Sequence, residues 1–153
     1  MKDQILLTKE GYDKLELELA DFIKNKRPVA VERLHKAREM GDLSENSEYT
    51  AAKEDLAFTE GRIQELEEII KRSHIVEKSV KKDFVTIGCK VTVSMNEVSE
   101  IFDIVGEIEA NPMAKKLSSK SPIGKALIGK KCGELINIDI PNGRICYKII
   151  HIQ

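Results

Sequence analysis

A chain of 153 residues with 33% charged residues, 5% aromatics and no Trp is too lean for one large core. It suits a long solvated helical element beside a small globular unit. The formal net charge of −1 conceals an asymmetry, with 14 Lys/Arg against 18 Asp/Glu in residues 1–78 and 11 against 8 in residues 79–153; neither balance is basic enough for free binding to DNA.

Cys89, Cys132 and Cys146 are scattered, with no CxxC and no flanking His pair. This argues against structural zinc and for a reducing compartment. There is no 18-residue apolar run and no signal-peptide core, so a cytoplasmic protein with no membrane span is expected.

In chain order, Thr8 is the first candidate N-cap, with Glu10 in the first turn where the helix dipole favours an acid. Tyr12, Leu15, Leu19 and Phe22 follow at helical spacing, and Ile23, Ala30, Leu34 and Ala37 fit a second register displaced by one residue. Pro28 lies between them, so the spacing predicts one helix from about Lys9 to Met40, kinked near Asn25–Pro28. Gly41 supplies a left-handed stop.

The second helix carries Tyr49, Ala52, Leu56, Thr59, Ile63, Leu66, Ile70 and Ser73 in strict 3-4 alternation, the narrow stripe of a coiled-coil seam. A connection of a few residues makes the two helices antiparallel, with roughly 30 residues per arm and a tip on the order of 45 Å from the base. Domain boundaries are expected at 1–77 for this hairpin and 78–153 for the remainder, with Lys78–Asp83 as a charged linker.

Beyond the linker the period changes to two. Val91 and Val93 alternate with polar residues, and Ile101–Ile108 is a further strand candidate. Ile136, Ile138 and Ile140 lead into the turn Pro141-Asn142-Gly143, and Ile145, Tyr147 and Ile149 return. Between them, Ser121-Pro122-Ile123-Gly124-Lys125-Ala126-Leu127-Ile128-Gly129 reads as a serine cap, a proline at the first position, one short helix and a glycine stop. The fold class is therefore α plus α+β, with an N-terminal antiparallel coiled-coil hairpin and a C-terminal, small, mostly antiparallel sheet with one short helix.

The chemistry concentrates at the junction of the helices, where Asp42, Glu45 and Glu48 place three carboxylates in seven positions. Two readings fit this spacing. Asp42 and Glu45 form a capping box, with Ser44 as the other cap, or they are ligands for Mg²⁺, a hard cation that keeps most of its waters and takes one or two carboxylates. In the second reading the tip completes a site whose other ligands belong to a partner.

Arg38 and Lys53 flank the acids and suit a phosphate backbone, or are ordinary solvated charges. Lys115, Lys116, Lys120, Lys125, Lys130 and Lys131 occur with no acid between Lys115 and Lys131. They make either a soluble basic surface or a dock for an acidic or nucleic-acid-bearing partner. His35, His74 and His151 are isolated, and no nucleophilic triad or glycine-rich phosphate loop is present.

The segments Leu7-Thr8-Lys9-Glu10-Gly11 to Leu19, Ala37-Arg38-Glu39-Met40-Gly41-Asp42-Leu43-Ser44-Glu45-Asn46-Ser47-Glu48-Tyr49 and Ser121–Lys130 resemble signatures of the bacterial Gre transcription elongation factors, in the family's order over nearly the whole chain. The tip resembles the GreA branch more than the GreB branch.

The resemblance implies an FKBP-like C-terminal domain that docks on RNA polymerase. It implies a coiled coil that enters the polymerase secondary channel and tip acids that help hold a second Mg²⁺ and its water while the polymerase cleaves the 3′ end of backtracked nascent RNA. Carried over by position, Asp42 and Glu45 are the metal-assisting acids of the catalytic centre. Arg38 and Lys53 contact RNA, and Ser121, Pro122, Ile123 and Gly124 belong to the polymerase-binding segment. Glu48 belongs to the motif without an assigned role.

Ser47 replaces a common Ala, and Lys53 a frequent Arg, which gives up a bidentate phosphate contact. The expectation is an accessory factor rather than an enzyme, with no tightly bound cofactor and a monomer when free. A coiled-coil folding helper with a prolyl-isomerase-like domain and a channel-occupying inhibitor are the alternatives, since fold does not fix function.

Overall fold

The computed structural model describes residues 3–41, 46–77 and 83–153. Its elements divide into two compact units: Tyr12–Arg72, and the described residues of Met1–Gly11 with Ser73–Gln153. Residues 3–11, at the start of the chain, thus keep company with the sheet rather than with the helices.

The helical unit holds most of α1 (Lys9–Asp21), a π-helical segment Phe22–Lys26, α2 (Arg27–Glu39) and α3 (Ser47–Arg72). Thr8 caps α1 as its sequence position suggested, its hydroxyl accepting from the Gly11 N–H at 3.1 Å.

The kink region takes a form that periodicity alone did not give. Pro28 has no N–H for the Lys24 carbonyl, and its ring crowds that turn. Here the chain passes through a π segment in which the Arg27 N–H bonds to the Phe22 carbonyl. A π turn takes up one extra residue, which accounts for the one-residue slip between the two apolar registers. It also corrects their membership: Phe22 is buried, at 7% exposure, whereas Ile23 is 37% exposed. Leu15, Phe22, Ala30 and Ala37 line the buried side of this arm.

Opposite them α3 buries Ala52, Thr59, Ile63 and Leu66, four members of the alternating stripe. Thr59 is tolerated there because its hydroxyl donates to the Asp55 carbonyl at 2.9 Å, which satisfies a buried polar group within its own helix. Its 26 residues give α3 a length of ~39 Å. Cross-helix bonds join Arg33 to Glu48, Arg27 to Glu60 and Arg62 to Glu18. Partner numbers rise on one helix as they fall on the other, so the arms are antiparallel.

In the second unit β1 (Ile5–Leu7) pairs in parallel with β2 (Ser73–Ile75). A five-stranded sheet follows, from β3 (Lys90–Met95), β4 (Val98–Val105), β5 (Lys116–Ser118), β6 (Leu135–Ile140) and β7 (Gly143–Ile152), ordered β5-β4-β3-β7-β6. All neighbours are antiparallel except β4 and β5, which run parallel.

Val91, Val93, Ile136, Ile138 and Ile149 point to one buried face, where Leu127 of α4 (Pro122–Leu127) joins them. This is the pattern of a sheet covered on one side. The Pro141–Asn142 turn is present, with Ile140 paired to Gly143. The strand expected at Ile101–Ile108 is β4 and lies earlier. It starts at Val98 because Asn96 and Glu97, both at positive φ, make a two-residue turn from Met95. It ends at Val105 because Gly106 opens a 3-10 turn, Glu107–Glu109, whose Glu109 carboxylate accepts from the Gly106 N–H at 3.3 Å.

Candidate functional site

Asp42 and Glu45, the two acids singled out as metal ligands, lie outside the described residues. The helix ends on either side of them are described. Gly41 follows α2 with φ +123°, a conformation that favours glycine. α3 begins at Ser47, and its cap is Asn46, whose Oδ1 accepts from the Tyr49 N–H at 3.0 Å. Asp42 and Ser44, both weighed as caps from spacing, lie outside the described residues.

The same Asn46 side chain donates from Nδ2 to the Ala37 carbonyl at 2.9 Å, an acceptor in the last turn of α2 that also takes the Met40 N–H at 3.3 Å. Sequence reasoning passed over Asn46, although asparagine ranks among the strongest N-cap residues.

Glu48 is committed. It accepts from Arg33 Nε at 2.7 Å and Nη2 at 3.3 Å, and this contact holds its carboxyl below the usual glutamate range. Arg33 also lies 3.6 Å from Asp55, and the contacts raise its own pKa, that with Glu48 foremost.

These partners share one flank of the hairpin. Arg33, Glu48 and Asp55 each precede a seam residue (Leu34, Tyr49, Leu56) by one position. Arg38 and Lys53 each follow one, Ala37 and Ala52, both buried. In an antiparallel pair, positions that follow the seam lie together on the opposite flank. Arg38 and Lys53 are exposed, and neither makes an ion pair among the described residues; Lys53 lies 5.4 Å over the Tyr49 ring. Among the described residues, Arg33 is thus ion-paired on one flank, while Arg38 and Lys53 on the other are not.

The segment Ser121–Gly124 forms the start of α4. Ser121 Oγ accepts from the Gly124 N–H at 3.0 Å and donates to the Ser118 carbonyl at 2.7 Å. Gly124 is buried, and a Cβ there would fall 2.0 Å from the Ser118 carbonyl oxygen. Ile123 packs against the sheet core. Ser121 and Gly124 therefore build the turn, and Pro122 and Lys125 are its exposed residues. Gly129, at φ +81°, follows as the expected stop.

The lysine-rich stretch is less cationic than its sequence suggested. Lys115 lies 3.5 Å from Glu100 and Lys120 2.9 Å from Glu107, acids brought in from β4 and the turn after it. Lys125, Lys130 and Lys131 form no ion pair among the described residues. Cys89 is buried as a small apolar residue, and Cys132 and Cys146 are exposed free thiols. No helix among the described residues is long and apolar enough to cross a membrane.

Residues 5–75 match the family described as transcription elongation factor, N-terminal, and residues 80–153 match transcription elongation factor, GreA/GreB, C-term. The transcription elongation factor GreA of Leuconostoc mesenteroides is 49% identical over 140 residues, covering 90% of this chain and 88% of that one. The GreA of Caldanaerobacter subterraneus is 48% identical over 157 residues, covering 100% of this chain and 99% of that one. Among solved structures, the GreA factor homolog 1 protein of Thermus thermophilus is similar at 29% identity with a TM-score of 0.47, over 99% of each chain. With both of its halves accounted for by one family's two domains, and relatives near half-identical along nearly its full length, the chain belongs to the GreA/GreB family of transcription elongation factors.

Proposed function

We propose that this chain is an accessory factor that binds RNA polymerase in the cytoplasm and stimulates the polymerase's own cleavage of nascent RNA at its 3′ end in backtracked, arrested complexes. The observation that carries this reading is the pattern at the hairpin end. Of the three acids there, Glu48 is held by Arg33, while Asn46 supplies the helix cap. In this reading Asp42 and Glu45 are the acids given to ligand chemistry.

Two carboxylates suit Mg²⁺, a hard cation that takes oxygen donors and retains waters. Asp42 and Glu45 would hold such an ion only together with ligands from the polymerase. Once bound there, the ion supplies an acidified water for in-line hydrolysis of a phosphodiester.

The chain's own contribution is then binding and orientation. The antiparallel arms carry the acids into the polymerase secondary channel. Arg38 and Lys53 set the extruded RNA through its phosphates on the cationic flank. Pro122 and Ile123 make polymerase contacts, on a turn that Ser121 and Gly124 shape. Ownership of the reaction stays with the polymerase, and the free factor is a monomer whose hairpin buries its own seam.

The test uses stalled, backtracked elongation complexes mixed with wild type or with Asp42→Asn/Glu45→Gln protein. Mg²⁺-dependent shortening of the transcript is expected with wild type only, with the double variant still competing for polymerase. Equal cleavage by both proteins would sink the assisting role of the acids. Binding without cleavage by either would favour an inhibitor.

A further inference from the structure

We propose that the hairpin flank carrying the Arg33–Glu48 pair is a second contact with the polymerase, in which Val29, Phe58 and Met40 meet an apolar, uncharged stretch of its surface; the inference rests on the polymerase-binding reading given above.

The exposed stripe is a product of the π turn. Leu15, Leu19 and Phe22 set a 3-4 spacing, and its continuation with no inserted residue is Lys26, Val29, Arg33, Lys36 and Met40. The extra residue taken up in Phe22–Lys26 shifts the seam by one. Ala30 and Ala37 are buried in it instead, and the first stripe turns out of it. Val29 and Met40 are thereby left 68% and 74% exposed. On α3, Phe58 precedes the seam residue Thr59 and is 70% exposed. A proline kink alone needs no inserted residue, and π turns of this kind are frequent at functional sites.

These side chains line two clefts of about 460 and 780 Å³ that share Val29, with Phe58 in the first and Met40 in the second. Every charged group lining them is engaged within the hairpin. Arg33 is paired with Glu48 and Asp55, and Lys36 lies 3.4 Å from Glu32. Asp21 accepts from the Asn25 amide at 2.7 Å, and Lys26 lies 4.3 Å over the Phe22 ring. A phosphate backbone requires free cations, and a charged peptide would have to break these pairs. The surface that complements this flank is therefore apolar and uncharged.

Three side chains are too few for a stable dimer, which buries about 800 Å² on each partner, whereas one large aromatic covers roughly 150–250 Å². A contact this small is effective only toward a partner already held elsewhere, where linkage makes the second binding event intramolecular. In the reading above, the polymerase is held through the α4 turn and is such a partner.

The experiment compares Val29→Gln and Phe58→Gln with wild type on backtracked elongation complexes; glutamine keeps the helix propensity. Leu17→Gln is the control, since Leu17 is equally exposed, at 71%, and lies outside both clefts. Helix content, the half-maximal factor concentration and its salt slope, and the maximal cleavage rate are read. In parallel, a photoreactive benzophenone side chain replaces Phe58 and its crosslinked product is identified. The expected result is unchanged helix content, salt slope and maximal rate. The half-maximal concentration should rise by roughly 10-fold for Phe58→Gln, by less for Val29→Gln and not at all for Leu17→Gln, and the crosslink should form to a polymerase subunit. A wild-type half-maximal concentration for both variants would overturn the inference, as would an equal rise with Leu17→Gln. A crosslink to the transcript, or to a second copy of this chain, would assign the flank to RNA or to self-association and overturn it too. Loss of helix content in both variants would overturn it by making the two side chains part of the fold. Wild-type protein that neither binds polymerase nor stimulates cleavage would remove the functional reading and the inference with it.

Discussion

Arg33 crosses the hairpin to Glu48, with Nε 2.7 Å from Oε1 and Nη2 3.3 Å from Oε2. The third acid of the tip motif is therefore a brace between helices. Arg33 holds the Glu48 carboxyl below its ordinary range. A group whose pKa is lowered on folding adds stability above its unfolded pKa and loses it as pH falls through the folded value. Both side chains are exposed, so the contribution is small and screened by salt. Glu48→Gln should lower the melting temperature slightly at neutral pH, with the difference closing as pH falls below the glutamate range and as salt rises. The same variant should retain far more cleavage stimulation than Asp42→Asn/Glu45→Gln. A melting difference that persists at acidic pH would show that the brace is not electrostatic.

Gly124→Ala tests whether that position is a contact or a packing requirement. The added Cβ would fall 2.0 Å from the Ser118 carbonyl oxygen, a backbone atom that moves only if β5 or the start of α4 moves. Overpacking of this kind costs about 1–3 kcal/mol. A lower denaturation midpoint is expected, together with weaker competition for polymerase. An unchanged midpoint with weaker competition would mean that Gly124 is read directly by the partner.

The turn from β3 to β4 offers a stabilising change. Asn96 and Glu97 lie at φ 50° and 67° in a two-residue connection between Met95 and Val98. Asparagine accepts this conformation, but for a residue with a longer side chain the left-handed region costs roughly 1–2 kcal/mol, and Asn-Gly is the preferred pair for such turns. Glu97→Gly should raise the denaturation midpoint by the equivalent of about 1 kcal/mol, a little less after the chain entropy that glycine adds to the unfolded state. A fall in the midpoint would show that the entropy outweighs the relieved strain.

The parts of the fold that were legible in the sequence are those written in local chemistry. The 3-4 stripe from Tyr49 to Ile70 needs only the helical period, whereas Ser73, expected to end it, opens β2 instead. The Ser121 cap with Pro122 and Gly129, and the Pro141–Asn142 turn, need only neighbouring residues. What was not legible depends on pairs distant in sequence or on competition between near-equal local forms. The register slip between Phe22 and Ile23 was visible, but periodicity alone does not distinguish a proline kink from a π turn that inserts one residue. β1 and β2 are three residues each, too short to show a period of two. At the tip the carboxylates drew attention because their chemistry is conspicuous. The cap came from the amide beside them, and the partner of Glu48 lies 15 positions away. Likewise Glu100 and Glu107 reach Lys115 and Lys120 only once β4 is folded.

The cationic flank yields the last prediction. Arg38 and Lys53 follow buried seam alanines on opposite helices and share the side of the hairpin away from the Arg33–Glu48 brace. Among the described residues, neither of these two positive charges forms an ion pair between the arms. Replacing them should therefore leave the fold intact and act on the nucleic acid. Each phosphate contact with a single strand contributes about −0.7 to the slope of log affinity against log salt. Arg38→Ala and Lys53→Ala should each make the half-maximal factor concentration less salt-dependent by about that amount, without altering the melting temperature. Lys53→Arg works in the opposite direction, because a guanidinium grips a phosphate through two parallel bonds where an ammonium acts as a point charge. It should lower the half-maximal concentration and slow release of the factor from backtracked complexes. If alanine at either position leaves the salt slope unchanged, that residue does not touch RNA. If both leave it unchanged, the extruded strand passes along the other flank, where Arg33 is the nearest cation and is already paired to Glu48.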